Sequence, residues 1–569
     1  MHDLAIRGGT LVDGSGRERF AGDLAIAGGR IAEVGRVVGA ARREIDATGL
    51  LVTPGFVDVH THYDGQATWD PLLTPSSWHG VTTIVMGNCG VGFAPVRAHE
   101  RERLIQLMEG VEDIPGTALH EGIHWEWESF PEYLDALSRR RFALDVAAQL
   151  PHAAVRTYVM GERGADHVQV PNPDEIAAMA RLAREAVLAG ALGFSTSRTV
   201  NHRSSDGRHT PSLTATRDEL VGIARGLGEA GRGVFEIVCD FVDLEAEFAL
   251  LRAMVEASGR PMSITTLQND ARPAQWRQLL ALIDEAARAG LPMRAQVAPR
   301  AVGVLLGLTA TLNPFQSHAS FQQVAGLPLA EQVARLRDPE LRRRLLAEPP
   351  AAAFAMFGAG FDRIFALGDP PDYEPSPEQS VAARARALGL APAELALDLL
   401  LERDGRALLY RPVMNYTDSN FDAVREMLLH ERSVPGLGDG GAHVGLISDG
   451  SFPTTLLAHW ARDRKRGERL PLEWLVKRQT ADTAALVGLA DRGRLAPGLR
   501  ADVNLIDFDA LAVRAPEIAH DLPAGGRRLV QRATGYAKTL VAGEITMENG
   551  EPTGALPGRL VRGAQPAPG

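Results

Sequence analysis

The sequence predicts an α/β chain, a (β/α)8 TIM-like barrel accompanied by a small β-sandwich built from both chain ends. Three observations carry that prediction. From residue 53 onward, short apolar runs alternate with helical stretches, the signature of repeated βα units and a parallel sheet. Polar residues gather at the C-terminal ends of those runs, the face on which such barrels build their sites. The short-strand texture of the first 52 residues returns after residue 485, so the two ends are expected to pair.

Taken in order, Leu4 to Val12 and Leu24 to Val34 alternate apolar and small residues around Gly8-Gly9, Asp13-Gly14 and Gly28-Gly29, which reads as β-strands and turns. Eight barrel runs follow, at 53–62, 82–90, 142–152, 189–197, 232–240, 261–268, 291–299 and 434–443. About 135 residues separate the last two. That is too long for a loop, so a helical insertion is expected around 300–433, with helices near 328–347 and 376–402, serving either as a lid or as an oligomer contact. The domain expectation is therefore 1–52 with 485–569 for the sandwich and 53–484 for the barrel. The Gly-, Pro- and Ala-rich tail from Pro557 to Gly569 is expected to be poorly ordered.

Composition narrows the function classes. A chain of 569 residues with 45% hydrophobic content has material for a large core and a smaller one. No run approaches the roughly 18 apolar residues of a membrane span, and Met1-His2-Asp3-Leu4 has no secretory character, so a soluble, cytoplasmic protein is expected. The net charge of −11 argues against a nucleic-acid partner. Cys89 and Cys239 are too few for a disulfide framework.

The chemistry begins at Thr53-Pro54-Gly55-Phe56-Val57-Asp58-Val59-His60-Thr61-His62. Side chains alternate along a strand, so His60 and His62 face the same way and can share a metal ion. Such a pair at a loop mouth can equally be satisfied by backbone and water. Its position at the end of the first barrel run favours a metal-dependent hydrolase. Glu236 lies in an otherwise apolar run, where a carboxylate needs a partner or a metal. His152, His202 and His209 follow the third and fourth runs, within reach of the barrel mouth.

Together with Gly87-Asn88-Cys89-Gly90, Gly193-Phe194-Ser195-Thr196, Gly438-Asp439-Gly440 and Gly493-Arg494-Leu495, the histidine phrase resembles the amidohydrolase superfamily, and most closely its D-aminoacylase branch. The resemblance implies a divalent metal, zinc by its ligand types, as one or two ions that activate water against an amide bond. It implies His60, His62, Cys89 and Asp439 as ligands, with Asp439 also moving the proton. Gly438-Asp439-Gly440 is also the composition of a tight turn, and Asp449-Gly450 competes for the same alignment. The implied partner is a small N-acylated substrate such as an N-acyl-D-amino acid. An ester or lactone, or a catalytically silent scaffold, are the alternatives.

Two departures from the branch are visible. Its metal histidines on the fifth and sixth strands are missing from 232–240 and 261–268, and no lysine precedes Lys465. Its lysine and arginine for the substrate carboxylate are missing too: Gln268 lies near the first position, and Gly445 to Gly450 replaces the second. Arg198, Arg203 and Arg300 are the arginines left to pair with a carboxylate.

Overall fold

The computed structural model describes residues 1–349 and 360–568, and its first residues build a sheet before any barrel strand. Strands β1 (His2–Leu11), β2 (Phe20–Ala27), β3 (Arg30–Gly35), β4 (Ala41–Asp46) and β5 (Leu51–Pro54) follow one another. The β2–β3 hairpin turns on Gly28-Gly29, with φ of 58° and 73°. A two-residue hairpin turn of this hand asks for positive φ at both positions, which glycine adopts without a Cβ clash.

The barrel strands are β6 (Phe56–Asp58), β7 (Val81–Met86), β8 (Asp145–Pro151), β9 (Gly193–Arg198), β10 (Val234–Cys239), β11 (Met262–Thr266) and β12 (Met293–Val297). After them the chain departs into an insertion holding β13 (Val302–Leu306), β14 (Phe365–Ala366) and β15 (Leu409–Met414), then returns with the last barrel strand, β16 (Ser433–Pro435). The eight parallel strands lie in chain order. Past the final strand, Asp439 N–H donates to His60 O at 3.0 Å and His62 N–H donates to Gly440 O at 2.8 Å, which closes the ring. Each of the eight expected runs overlaps one of these strands, with β7, β9 and β16 each reaching one residue past the run.

The run at 53–62 serves both sheets. Thr53 and Pro54 end β5 and pair with the C-terminal part of the chain, and the barrel begins only at Phe56. Gly55 makes the step possible, because a Cβ there would sit 2.2 Å from Thr82 Oγ1.

The C-terminal strands are β17 (Val503–Ile506), β18 (Ala512–Val513), β19 (Glu517–Leu522), β20 (Gly526–Val530), β21 (Ala533–Thr534), β22 (Tyr536–Val541), β23 (Glu544–Glu548) and β24 (Glu551–Pro552). β17 pairs antiparallel with β5, Val503 opposite Pro54, so strands from both chain ends form one sheet of nine. Leu4, Ile6, Leu24, Ile26, Val503 and Leu540 pack in its core.

The tail departs from the expectation of disorder. Val561 N–H donates to Val146 O at 2.7 Å and Gly563 N–H to Gly190 O at 2.8 Å. Leu560 and Val561 are buried, and Val561 joins Val57, Val85, Ala147 and Val434 in an apolar floor of the barrel. Composition pointed to a loose end, but two apolar side chains with paired backbone outweigh it.

The insertion has its own core of Leu336, Leu345, Ile364, Val381, Leu397 and Leu400. Its helices include Leu329–Leu336, Pro339–Ala347, Val381–Leu388 and Pro392–Leu400, and its antiparallel pair β13–β15 lies against the barrel mouth. Among the described residues no helix is long and apolar enough to cross a membrane.

Candidate metal centre

At the C-terminal end of the barrel, a cavity of about 450 Å³ opens over His60, His62, Cys89 and Asp439. His60 and His62 follow β6 on extended backbone. Between them, Thr61 bridges to Gly440 and its N–H donates to Val85 O, so the alternation of the strand continues through both histidines. Their ring centroids are 5.4 Å apart.

The loop after β7 brings in the third group. Asn88 Nδ2 donates to Thr61 O and Val85 O at 3.1 and 2.9 Å, and Gly90 N–H donates to Ser195 Oγ at 2.9 Å. Gly87 must be glycine, since its Cβ would lie 2.3 Å from Gln149 O. Held this way, Cys89 takes φ 54°, a costly conformation for a side chain other than glycine. It places Sγ 3.3 Å from His60 Nε2. The ligand atoms of His60, His62 and Cys89 all lie within 4.8 Å of one another.

Asp439 completes the set, with Oδ1 3.3 Å from His60 Nε2 and 3.6 Å from His62 Nε2. It too has positive φ, at 46°. Strained backbone at two of four converging donors is the kind of cost a fold retains where geometry matters. Asp449, the competing aspartate, is buried elsewhere against Arg300 at 3.0 Å.

Groups behind the imidazoles set their tautomers. His60 Nδ1 lies 3.0 Å from Gln296 Oε1, so it carries the proton and leaves the Nε2 lone pair facing the cavity. His62 Nδ1 stands 3.1 Å from Glu112 Oε1, close but without the alignment of a hydrogen bond. Glu112 ends helix α1 (Arg101–Glu112). Its other oxygen is 3.7 Å from His443 Nε2, and His443 lines the cavity. Glu236 accepts the Cys89 N–H at 2.8 Å and approaches His60 Nδ1 at 3.7 Å, while its Oε1 has no hydrogen-bond partner.

Electrostatics follow from burial and proximity. Burial lowers the pKa of His60 to about 4, so its ring is neutral at pH 7. Burial opposes protonation of His62 as well, but Glu112 and Asp439 outweigh it and lift that ring to about 9. Burial would raise the carboxyl of Asp439, yet the two imidazoles hold it well below the ordinary carboxylate range. Desolvation pushes Glu236 up to about 8 and the Cys89 thiol well above its usual value.

Two imidazoles, a sulfur and a carboxylate within mutual reach form a donor set that suits zinc. The orphaned Glu236 oxygen and the acid-rich surroundings also fit a cation at this place.

The other sequence candidates fall elsewhere. His202 lines the cavity and pairs with Ser197 Oγ at 2.9 Å. His152 is buried between Thr196 and Glu219, and His209 stacks edge-on against His167 away from the site. None of the three arginines lines the cavity: Arg198 is bidentate to Glu247, Arg203 is exposed beside Gly207, and Arg300 is locked against Asp449 and Tyr373. Gln268 donates to Asp418 at 2.9 Å and is not part of the cavity lining.

Glu112 carried no signal in the sequence, since it is one acid among several near a helix end. His443 did carry one, lying four residues past Asp439 at the close of the last run.

The amidohydrolase family profile matches residues 43–547. The D-aminoacylase of Alcaligenes xylosoxydans xylosoxydans is 29% identical, covering 98% of this chain and 97% of its own. The N-acyl-D-glutamate deacylase of the same organism is 30% identical over 92% of this chain and 91% of its own. A solved D-aminoacylase with a binuclear metal centre superposes with a TM-score of 0.66 at 25% identity, covering 99% of this chain and all of that one.

Proposed function

The chain belongs to the amidohydrolase family, and from that premise we propose that it is a metal-dependent hydrolase of the non-peptide C–N bond in a small N-acylated substrate. One observation carries the reading: donors from His60, His62, Cys89 and Asp439 converge at the floor of a single cavity. The relatives' activity on N-acyl amino acids supports the reaction class.

His60, His62, Cys89 and Asp439 would hold a divalent ion, zinc by their chemistry, and that ion would lower the pKa of water and polarise the amide carbonyl. The chain's residues supply the rest. His60, with Nδ1–H committed to Gln296, offers a fixed lone pair, and Glu112 orients His62 from behind. Asp439, held ionised by the imidazoles, takes the proton from the attacking water and delivers it to the departing nitrogen. The fifth and sixth strands, β10 and β11, contain no histidine, which supports one tightly held ion per chain. Two unpaired thiols are consistent with a reducing compartment, the cytoplasm.

The test is metal content and turnover of purified protein on a panel of N-acyl amines and N-acyl amino acids. About one zinc per chain is expected, with Asp439→Asn losing about 10²–10⁴ in kcat. A chain that takes up no zinc, cobalt or manganese, or an Asp439→Asn variant at full activity, overturns the reading. A silent scaffold would then stand.

A further inference from the structure

Beyond the metal floor, the cavity lining is of two kinds. Its apolar part comes from Phe241, Leu267 and Trp276 of the barrel and Val302, Val304 and Val413 of the insertion. Its polar part holds Glu112 and Asp240, the imidazoles of His202 and His443, and the neutral side chains of Thr199, Asn201, Asn269 and Gln275. Among the described residues, no lysine or arginine lines the cavity, and residues 350–359 contain no charged side chain.

A substrate carboxylate seated here exchanges water for apolar contacts, neutral polar groups and carboxylates of its own sign, with no guanidinium or ammonium in the lining to pair it. Burying an unpaired ionised group costs several kcal/mol even after relaxation. An uncharged group of the same size pays no such penalty and gains from apolar burial.

Resting on the hydrolase reading above, we propose that this pocket selects an uncharged N-acyl amine with an apolar body over a free N-acyl amino acid. The apolar lining contacts the apolar body, and the scissile amide sits over the four donors. Selection acts by exclusion of charge as much as by fit.

The experiment uses a matched pair: N-acetyl-D-leucine and N-(3-methylbutyl)acetamide, which is the same molecule with hydrogen in place of the carboxylate. Dissociation constants are measured by calorimetry on zinc-loaded Asp439→Asn protein, and kcat/KM on zinc-loaded wild type. Binding of the neutral member at least about tenfold tighter is expected. In a second variant, Leu267→Arg, that ratio should move by about tenfold toward the anion. Should L267R fail to fold, the binding ratio on D439N decides alone. Equal or tighter binding of the carboxylate overturns the proposal, and its loss in R411M would assign an anion site to Arg411, which is buried opposite Val304. Failure of the hydrolase reading looks different: neither compound turns over, while the binding ratio still reports the pocket's preference.

Discussion

The barrel buries charge at both of its ends, and the two ends treat it oppositely. At the N-terminal end Asp145 is met by Arg492 at 2.7 Å and Arg500 at 2.9 Å, with Asp502 3.3 Å from Arg500 and Asp491 2.9 Å from Arg492. Each carboxylate there has a guanidinium within ion-pair reach, as a buried ionic cluster requires. At the C-terminal end Asp58, Asp64, Glu112, Glu236 and Asp439 are gathered around two imidazoles and a thiol. Burial lifts Asp58 and Asp64 to about 7. One end is a finished structural joint. The other holds more acid than its own side chains balance, the arrangement expected of residues that meet a cation.

The comparison breaks first if the acidic end proves structural. His60→Ala should lower kcat by about a thousandfold or more and abolish stoichiometric zinc, measured by turnover and metal analysis on protein whose melting is unchanged at the base. Next, Arg492→Met should cost about 3–5 kcal/mol of stability by leaving Asp145 and Asp502 under-paired, while zinc per folded chain stays the same. Chemical denaturation with metal analysis checks it, and zinc loss without destabilisation would reverse the roles of the two ends. Glu112→Gln should weaken zinc binding by about 10–100-fold with little change in melting, as seen for groups that orient a ligand from behind. Competition with a chelator reads that effect.

The smallest expected effect comes from a buried imidazole outside both ends. His79 bonds Thr454 Oγ1 and Gln531 O, and burial lowers its pKa to about 4. Between the ordinary histidine value and that folded value the unfolded chain binds the extra proton, so stability rises with pH across this window and falls on acidification. The loss from pH 7 to pH 5 is about 2 kcal/mol. Melting of wild type against His79→Gln at the two pH values isolates it, and parallel pH slopes would remove His79 from the account.

Much of the barrel was legible because its strands are short apolar runs bounded by glycine and polar ends, as at 189–197. His60 and His62 were legible because period-two alternation survives past the last strand residue. Glu112 was not, because its role depends on where α1 lands in space, and helix periodicity shows only which face is apolar. The Arg300–Asp449 pair was equally hidden, as two residues about 150 positions apart meet only through the barrel's closure. The tail misled because composition says nothing of a floor waiting for Leu560 and Val561.

The antiparallel joint between β5 and β17 sets a schedule for synthesis. Pro54 leaves the ribosome some 450 residues before Val503 exists to cover it, which at about 5–20 residues per second is tens of seconds. Through that interval the edge of β5 stays open to any other extended segment. Biogenesis therefore depends on whatever shields the nascent chain until its last eighth emerges.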